Sequence, residues 1–132
     1  MIKMPKSAHS EKWYETELRK YLVKNNWWVT KLHGNIYQSG LPDWLLCSPE
    51  GKLVLIELKT IREKQCYYTS NIVDLLKGTQ ISNILLLTKK KAPLAIITGC
   101  NKGYLFLELP HKENCEILPC DLKEVLQKIR GL

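Results

Sequence analysis

The spacing of apolar residues changes several times along the chain, and each change predicts an element. Tyr14, Leu18, Tyr21 and Leu22 recur at helical spacing over 11–26, with Ser10 placed to cap the start and Asn25-Asn26 to stop it. Residues 27–32, WWVTKL, are aromatic and β-branched and predict a strand. A polar loop with two glycines follows over 33–42. Two apolar strands, 44–47 and 53–58, flank SPEGK, where Pro49 and Gly51 suit a turn. The polar, basic and aromatic stretch 59–71 is expected to cross an open face. The next helix is clearest over 79–91, with Ile81, Ile84, Leu85 and Thr88 on one side and Pro93 closing it. Short buried strands are expected at 94–99 and 104–109 around CNKG, and Asp121 caps a last helix that reaches Arg130. The order α-β-β-β-α-β-β-α describes a mixed central sheet flanked by helices, an α/β sandwich.

Three charges interrupt this pattern. On 53–59, Val54, Ile56 and Leu58 make one face apolar, while Leu53 and Leu55 make the other apolar until Glu57 and Lys59. Charges at the end of a buried strand are costly unless paired or metal-bound. Asp43 opens the preceding strand, directly after Pro42. An odd-length loop, or a bulge at Gly51, sets Asp43 opposite Glu57; a four-residue loop without a bulge sets it opposite Leu58. The bulged register is the expectation. Two carboxylates at that range repel or take up a proton. A divalent cation relieves the conflict, and Asp43, Glu57 and the Leu58 carbonyl form an oxygen-rich set suited to Mg²⁺. Such a metal polarises a phosphate, and Lys59 can orient the attacking water or offset developing charge.

Composition narrows the partners. A chain of 132 residues, 45% hydrophobic and 25% charged, is expected to be one domain over 1–132, with its core at about 11–109 and a terminal helix at 121–130. No apolar run of about 18 residues exists, which excludes a membrane-spanning helix. The basic start lacks the apolar stretch of a secretory signal, so a soluble, cytoplasmic protein is expected. Five cysteines, an odd number without a Cys-x-x-Cys pair, argue against a disulfide framework. His111, Cys115 and Cys120 fit no common zinc spacing. A formal charge of +7 favours a polyanionic partner.

Leu41-Pro42-Asp43 followed by Glu57-Leu58-Lys59 resembles the PD-(D/E)XK nuclease signature, and Gly40-Leu41-Pro42-Asp43 is similar to the G-x-P-D segment of VRR-NUC domains and Holliday-junction resolvases. The resemblance covers about 11–98. It implies a restriction-endonuclease-like fold and a DNA endonuclease dependent on Mg²⁺, with Mn²⁺ as a substitute. Branched DNA is the implied substrate, and a homodimer would match the two-fold symmetry of a four-way junction. It also implies a first-helix acid that supports the metal: Glu15 is the first choice, Glu11 the second, and Glu17 points aside. The family glutamine maps to Gln80, with Gln65 in competition. Lys31, His33, Gln38, Arg62 and Lys64 are candidate DNA contacts, and Tyr67 and Tyr68 candidate stacking residues. The rival reading is a catalytically silent nucleic-acid-binding domain of the same fold. Residues 84–87 and 104–109 are candidate dimer surfaces.

Overall fold

A computed structural model describes residues 9–32, 40–62, 66–111 and 113–132. Helix α1 (Glu11–Lys24) starts where the Ser10 hydroxyl accepts the Trp13 N–H, buries Tyr14, Leu18 and Leu22, and ends before Asn26 at φ 66°. Strands β1 (Trp28–Lys31), β2 (Trp44–Cys47) and β3 (Leu53–Thr60) follow. Helices α2 (Thr69–Val73) and α3 (Gly78–Lys89) lead to β4 (Leu94–Cys100), β5 (Gly103–Leu109) and α4 (Leu122–Arg130). The Asp121 carboxylate accepts the Glu124 N–H at 2.9 Å and caps α4.

The strands form one sheet in the order β1-β2-β3-β4-β5. The β3–β4 pair is parallel and the other neighbours are antiparallel, so the sheet is mixed. One face carries Val54, Ile56, Leu58, Ala95 and Ile97 against Tyr14, Leu18 and Leu22 of α1 and Val125 and Ile129 of α4. The other carries Leu94, Ile96 and Leu105 against Ile72 of α2 and Ile84 of α3. Among the described residues no helix is long and apolar enough to cross a membrane.

The β2–β3 hairpin closes on an odd register. Ser48 N donates to Lys52 O, and Gly51 N to Ser48 O, each at 2.9 Å, with Gly51 at φ 92°. A β-turn followed by a left-handed glycine is the bulged three-residue hairpin loop. Trp44 therefore pairs with Ile56, and the same register continued one step sets Asp43 opposite Glu57.

Several expectations change. β3 runs on to Thr60 because Leu58, Lys59 and Thr60 pair with Ile97, Thr98 and Gly99, so Lys59 lies within the strand. The 59–71 stretch does not simply cross an open face: Tyr67 and Ile72 are buried, and α2 is too short to show a period. On 84–87, Ile84 is core while Leu85 and Leu86 are 60% and 58% exposed. Over 104–109, Tyr104, Leu105, Leu107 and Leu109 are buried core rather than an apolar surface awaiting a partner.

Helix α1 is seated on the sheet through Tyr14. Its hydroxyl donates to Cys100 O at 2.8 Å, and its ring lies so close to Gly99 that a Cβ there would collide with it. Gly99→Ala is expected to lower stability by about 1–3 kcal/mol in urea or thermal unfolding. Gly78→Ala, with no atom within 4 Å of the added Cβ, should be neutral or mildly stabilising.

Candidate active site

The parallel β3–β4 pairing puts Glu57 at the middle of the sheet, 1% exposed, on the face covered by α2 and α3. Its Oε1 accepts the Gln80 side-chain amide at 3.0 Å and lies 3.8 Å from Lys59 Nζ. Its Oε2 is buried and has no hydrogen-bond partner among the described residues. Asp43 stands beside it, its Oδ2 accepting the Leu58 N–H at 2.7 Å. That bond shows that the Leu58 peptide faces β2, and in an extended residue the carbonyl points to the same side as the N–H. The hairpin register carried on would bring Pro42 opposite Leu58. Proline has no N–H to give, which leaves no ladder donor there for the Leu58 carbonyl.

Gln80 ties the site to helix α3. Its Oε1 accepts both Lys59 Nζ at 3.1 Å and the Lys77 N–H at the helix start at 2.9 Å. Two donors fix which way the amide points, and its NH₂ group is then left for Glu57. Gly40 keeps the incoming loop against the same helix turn. Its φ is 87°, and a Cβ there would lie 2.7 Å from the Thr79 carbonyl carbon and oxygen. The segment that delivers Asp43 thus packs directly against the turn that delivers Gln80.

Burial, and then the neighbouring Asp43 carboxylate, push the Glu57 carboxyl up to about 8; Lys59 acts the other way. Burial and Asp43 also raise Glu11 above the usual carboxylate range, again opposed by Lys59. Glu15 raises Glu11 as well and Lys31 lowers it, so both helix acids and both lysines share one electrostatic field with Asp43 and Glu57. Two carboxylates, one with a buried oxygen that no donor reaches, together with an adjacent backbone carbonyl, fit a hard divalent cation.

Of the expected site residues, Asp43, Glu57, Leu58, Lys59 and Gln80 come together. Glu15 does not join them: its Oε1 takes Lys31 Nζ at 3.2 Å. Glu11, one turn earlier and exposed, lies close enough for Asp43 and Lys59 to act on its carboxyl, and it in turn acts on Glu57. The inward stripe runs past both glutamates, and they differ in surroundings: Glu15 pairs with Lys31 on β1, whereas Asp43 and Lys59 act on Glu11. Glu17 is held elsewhere, accepting the Tyr104 hydroxyl at 2.7 Å.

Lys31 stays at the rim through Glu15, and Arg62 is exposed after β3. Tyr67 is only 2% exposed and its hydroxyl donates to Asn101 at 3.3 Å, so it cannot stack on a base; Tyr68, 41% exposed, remains open. His33, Gln38, Lys64 and Gln65 lie outside the described residues.

No family model matches the chain, and no curated protein does. A solved structure does: the Holliday junction resolvase of Archaeoglobus fulgidus, an archaeal hyperthermophile, superposes with a TM-score of 0.53 at 14% identity. The likeness covers 86% of this chain and 92% of that one. The fold is restriction-endonuclease-like. Such low identity carries the architecture, and within it the Asp43, Glu57 and Lys59 constellation lies at the end of the central hairpin.

The raised Glu57 carboxyl makes a prediction about pH. It binds its proton more tightly folded than unfolded, so its contribution to stability is full below about 4.5 and lost as pH rises through about 8. Metal-free protein should lose on the order of 3 kcal/mol over that window in urea titrations. Asp43→Asn removes the repelling charge and should flatten the profile and raise stability at the alkaline end. A wild-type profile that is level across the window would show that Glu57 ionises normally.

Proposed function

We propose that this chain is a metal-dependent endonuclease that hydrolyses DNA phosphodiester bonds, with branched or four-way-junction DNA as its substrate. The observation that carries the reading is the Asp43–Glu57 carboxylate pair beside Lys59, with Glu57 buried and its Oε2 donorless and Asp43 half-buried. Such a pair is stable only when a proton or a cation meets its charge, and a cation bound there takes the place of the proton that the raised Glu57 carboxyl otherwise holds. Mg²⁺, or Mn²⁺ in its place, would be held by Asp43, Glu57 and the Leu58 carbonyl, with Glu11 supporting it through water. When bound it supplies charge neutralisation at the scissile phosphate and a more acidic water.

The chain's own groups do the rest. Gln80 fixes Lys59 and Glu57 relative to each other through one amide. Lys59, 15% exposed, keeps its ammonium at the mouth of the carboxylate pair, where it can orient the attacking water and offset charge on the phosphate oxygens. The net charge of +7 draws DNA to a surface whose acids are partly gathered in the site. Two copies would match the symmetry of a four-way junction, and Leu85 and Leu86 on α3 are the exposed apolar surface that such pairing would cover.

The assay is cleavage of linear, flapped and four-way-junction DNA in Mg²⁺, Mn²⁺ or EDTA. Cutting is expected with either metal and not with EDTA, falling by about 100-fold or more in Asp43→Ala and Lys59→Ala. Tight binding without cutting in either metal would leave the silent nucleic-acid-binding domain as the reading. Undiminished cutting by Asp43→Ala would remove the site assignment.

The same assay separates the helix acids. Glu11→Gln should weaken activity or the Mg²⁺ requirement about 10- to 100-fold, as loss of an outer partner does. Glu15→Gln should stay near wild type, since its present partner is Lys31. The reverse result would return the role to Glu15.

A further inference from the structure

The outer side of α1 carries an aromatic group that neither the core nor the candidate site uses. Trp13 is 41% exposed two residues after Glu11. One exposed tryptophan is ordinary, but this one is held in place. The His9 ring stacks on it with centroids 3.8 Å apart and planes at 18°, and Tyr14 meets it edge-on at 5.0 Å and 89°. The Tyr14 hydroxyl accepts the His9 N–H at 3.2 Å while donating to Cys100 O at 2.8 Å, so the stack is tied to β4. No second ring covers the other face of the indole among the described residues.

Around Trp13 opens a cleft of about 470 Å³ lined by Ser10, Lys12, Thr16, Glu17 and Lys20. Lys12 and Lys20 are exposed and enter no ion pair among the described residues. The one acid in the cleft, Glu17, is engaged by the Tyr104 hydroxyl. Arg19 and Lys24 extend the positive charge along the exposed part of the helix. A rigid indole with one face free, between unpaired cations, suits a flat aromatic ring attached to a phosphodiester chain.

We propose that Trp13 is a stacking platform for an unpaired base of the DNA that the protein engages, with Lys12 and Lys20 at the phosphates on either side of that base. This rests on the nucleic-acid reading above and adds a preference for substrates with single-stranded character. It also moves the stacking role from Tyr67, which is buried, to the first helix.

The test is fluorescence anisotropy on full-length protein carrying Asp43→Asn, in EDTA, with a labelled short oligothymidylate and a labelled blunt duplex of equal length. Adding Trp13→Ala should weaken oligothymidylate binding about tenfold or more, within the range for loss of one base stack, and leave duplex binding unchanged. Trp13→Phe, which keeps a ring, should recover most of the loss, and unfolding curves should match the parent. Unchanged oligothymidylate affinity in Trp13→Ala, no binding of the oligothymidylate by the parent, or an equal loss on the duplex would each overturn the platform. The expected binding together with no cutting of any substrate by the wild-type protein in Mg²⁺ or Mn²⁺ would keep the platform and remove the nuclease reading. Junction cutting by the wild-type protein, with oligothymidylate binding unchanged by Trp13→Ala, would do the reverse.

Discussion

Glu57 sits inside a sheet rich in leucine, isoleucine and valine, and its carboxyl group has only partial compensation. One oxygen has the Gln80 amide and a lysine at 3.8 Å; the other has no donor. A buried carboxylate with that surrounding must take up a proton or a cation. Asp43 sharpens the demand by adding a second negative charge on the neighbouring strand. Much of the molecule can be understood as what is needed to hold these two acids together without unfolding.

The support comes from elements far apart in sequence. The turn with Gly51 at φ 92° sets the register that brings residue 43 to residue 57. The parallel partner β4 clamps β3 as far as Thr60, which keeps Lys59 in the strand and in line with Glu57. Helix α3 contributes Gln80, whose two accepted hydrogen bonds orient it, and Gly40 packs the incoming loop against that helix turn. On the opposite face of the sheet, Tyr14 locks α1 over Gly99 and so positions both Glu11 and the exposed Trp13.

Much of this could be read from local chemistry. The Ser10 and Asp121 caps, the strands at 44–47 and 94–99, and the bulged option for the β2–β3 hairpin follow from rules about neighbouring residues. So does the choice of Asp43, Glu57 and Lys59 as the group to watch, since an acid on a two-faced apolar strand stands out in one dimension. Choices between chemically equal residues were not legible. Glu11 and Glu15 share a helix stripe, and only the position of Lys31 on β1 ties up one of them. Tyr67 and Tyr68 are adjacent and alike, yet the fold buries the first beneath the sheet and leaves the second open. Lysine in β3 looked like a strand end until its pairing with Thr98 extended the strand.

Which residues could not be ordinary is already written in the linear chain: two carboxylates and a lysine in and beside apolar strands, joined by a turn whose glycine favours a bulged register. Periodicity, capping and turn chemistry act over a few residues, so they are present in the linear chain. Tertiary structure alone decided which partners complete the set. Burial of Glu57 to 1%, the reach of Gln80 across 23 positions, and the loss of Glu15 to Lys31 depend on how separate elements pack. Electrostatic energies change steeply with separation and burial, and neither quantity exists until the sheet is assembled.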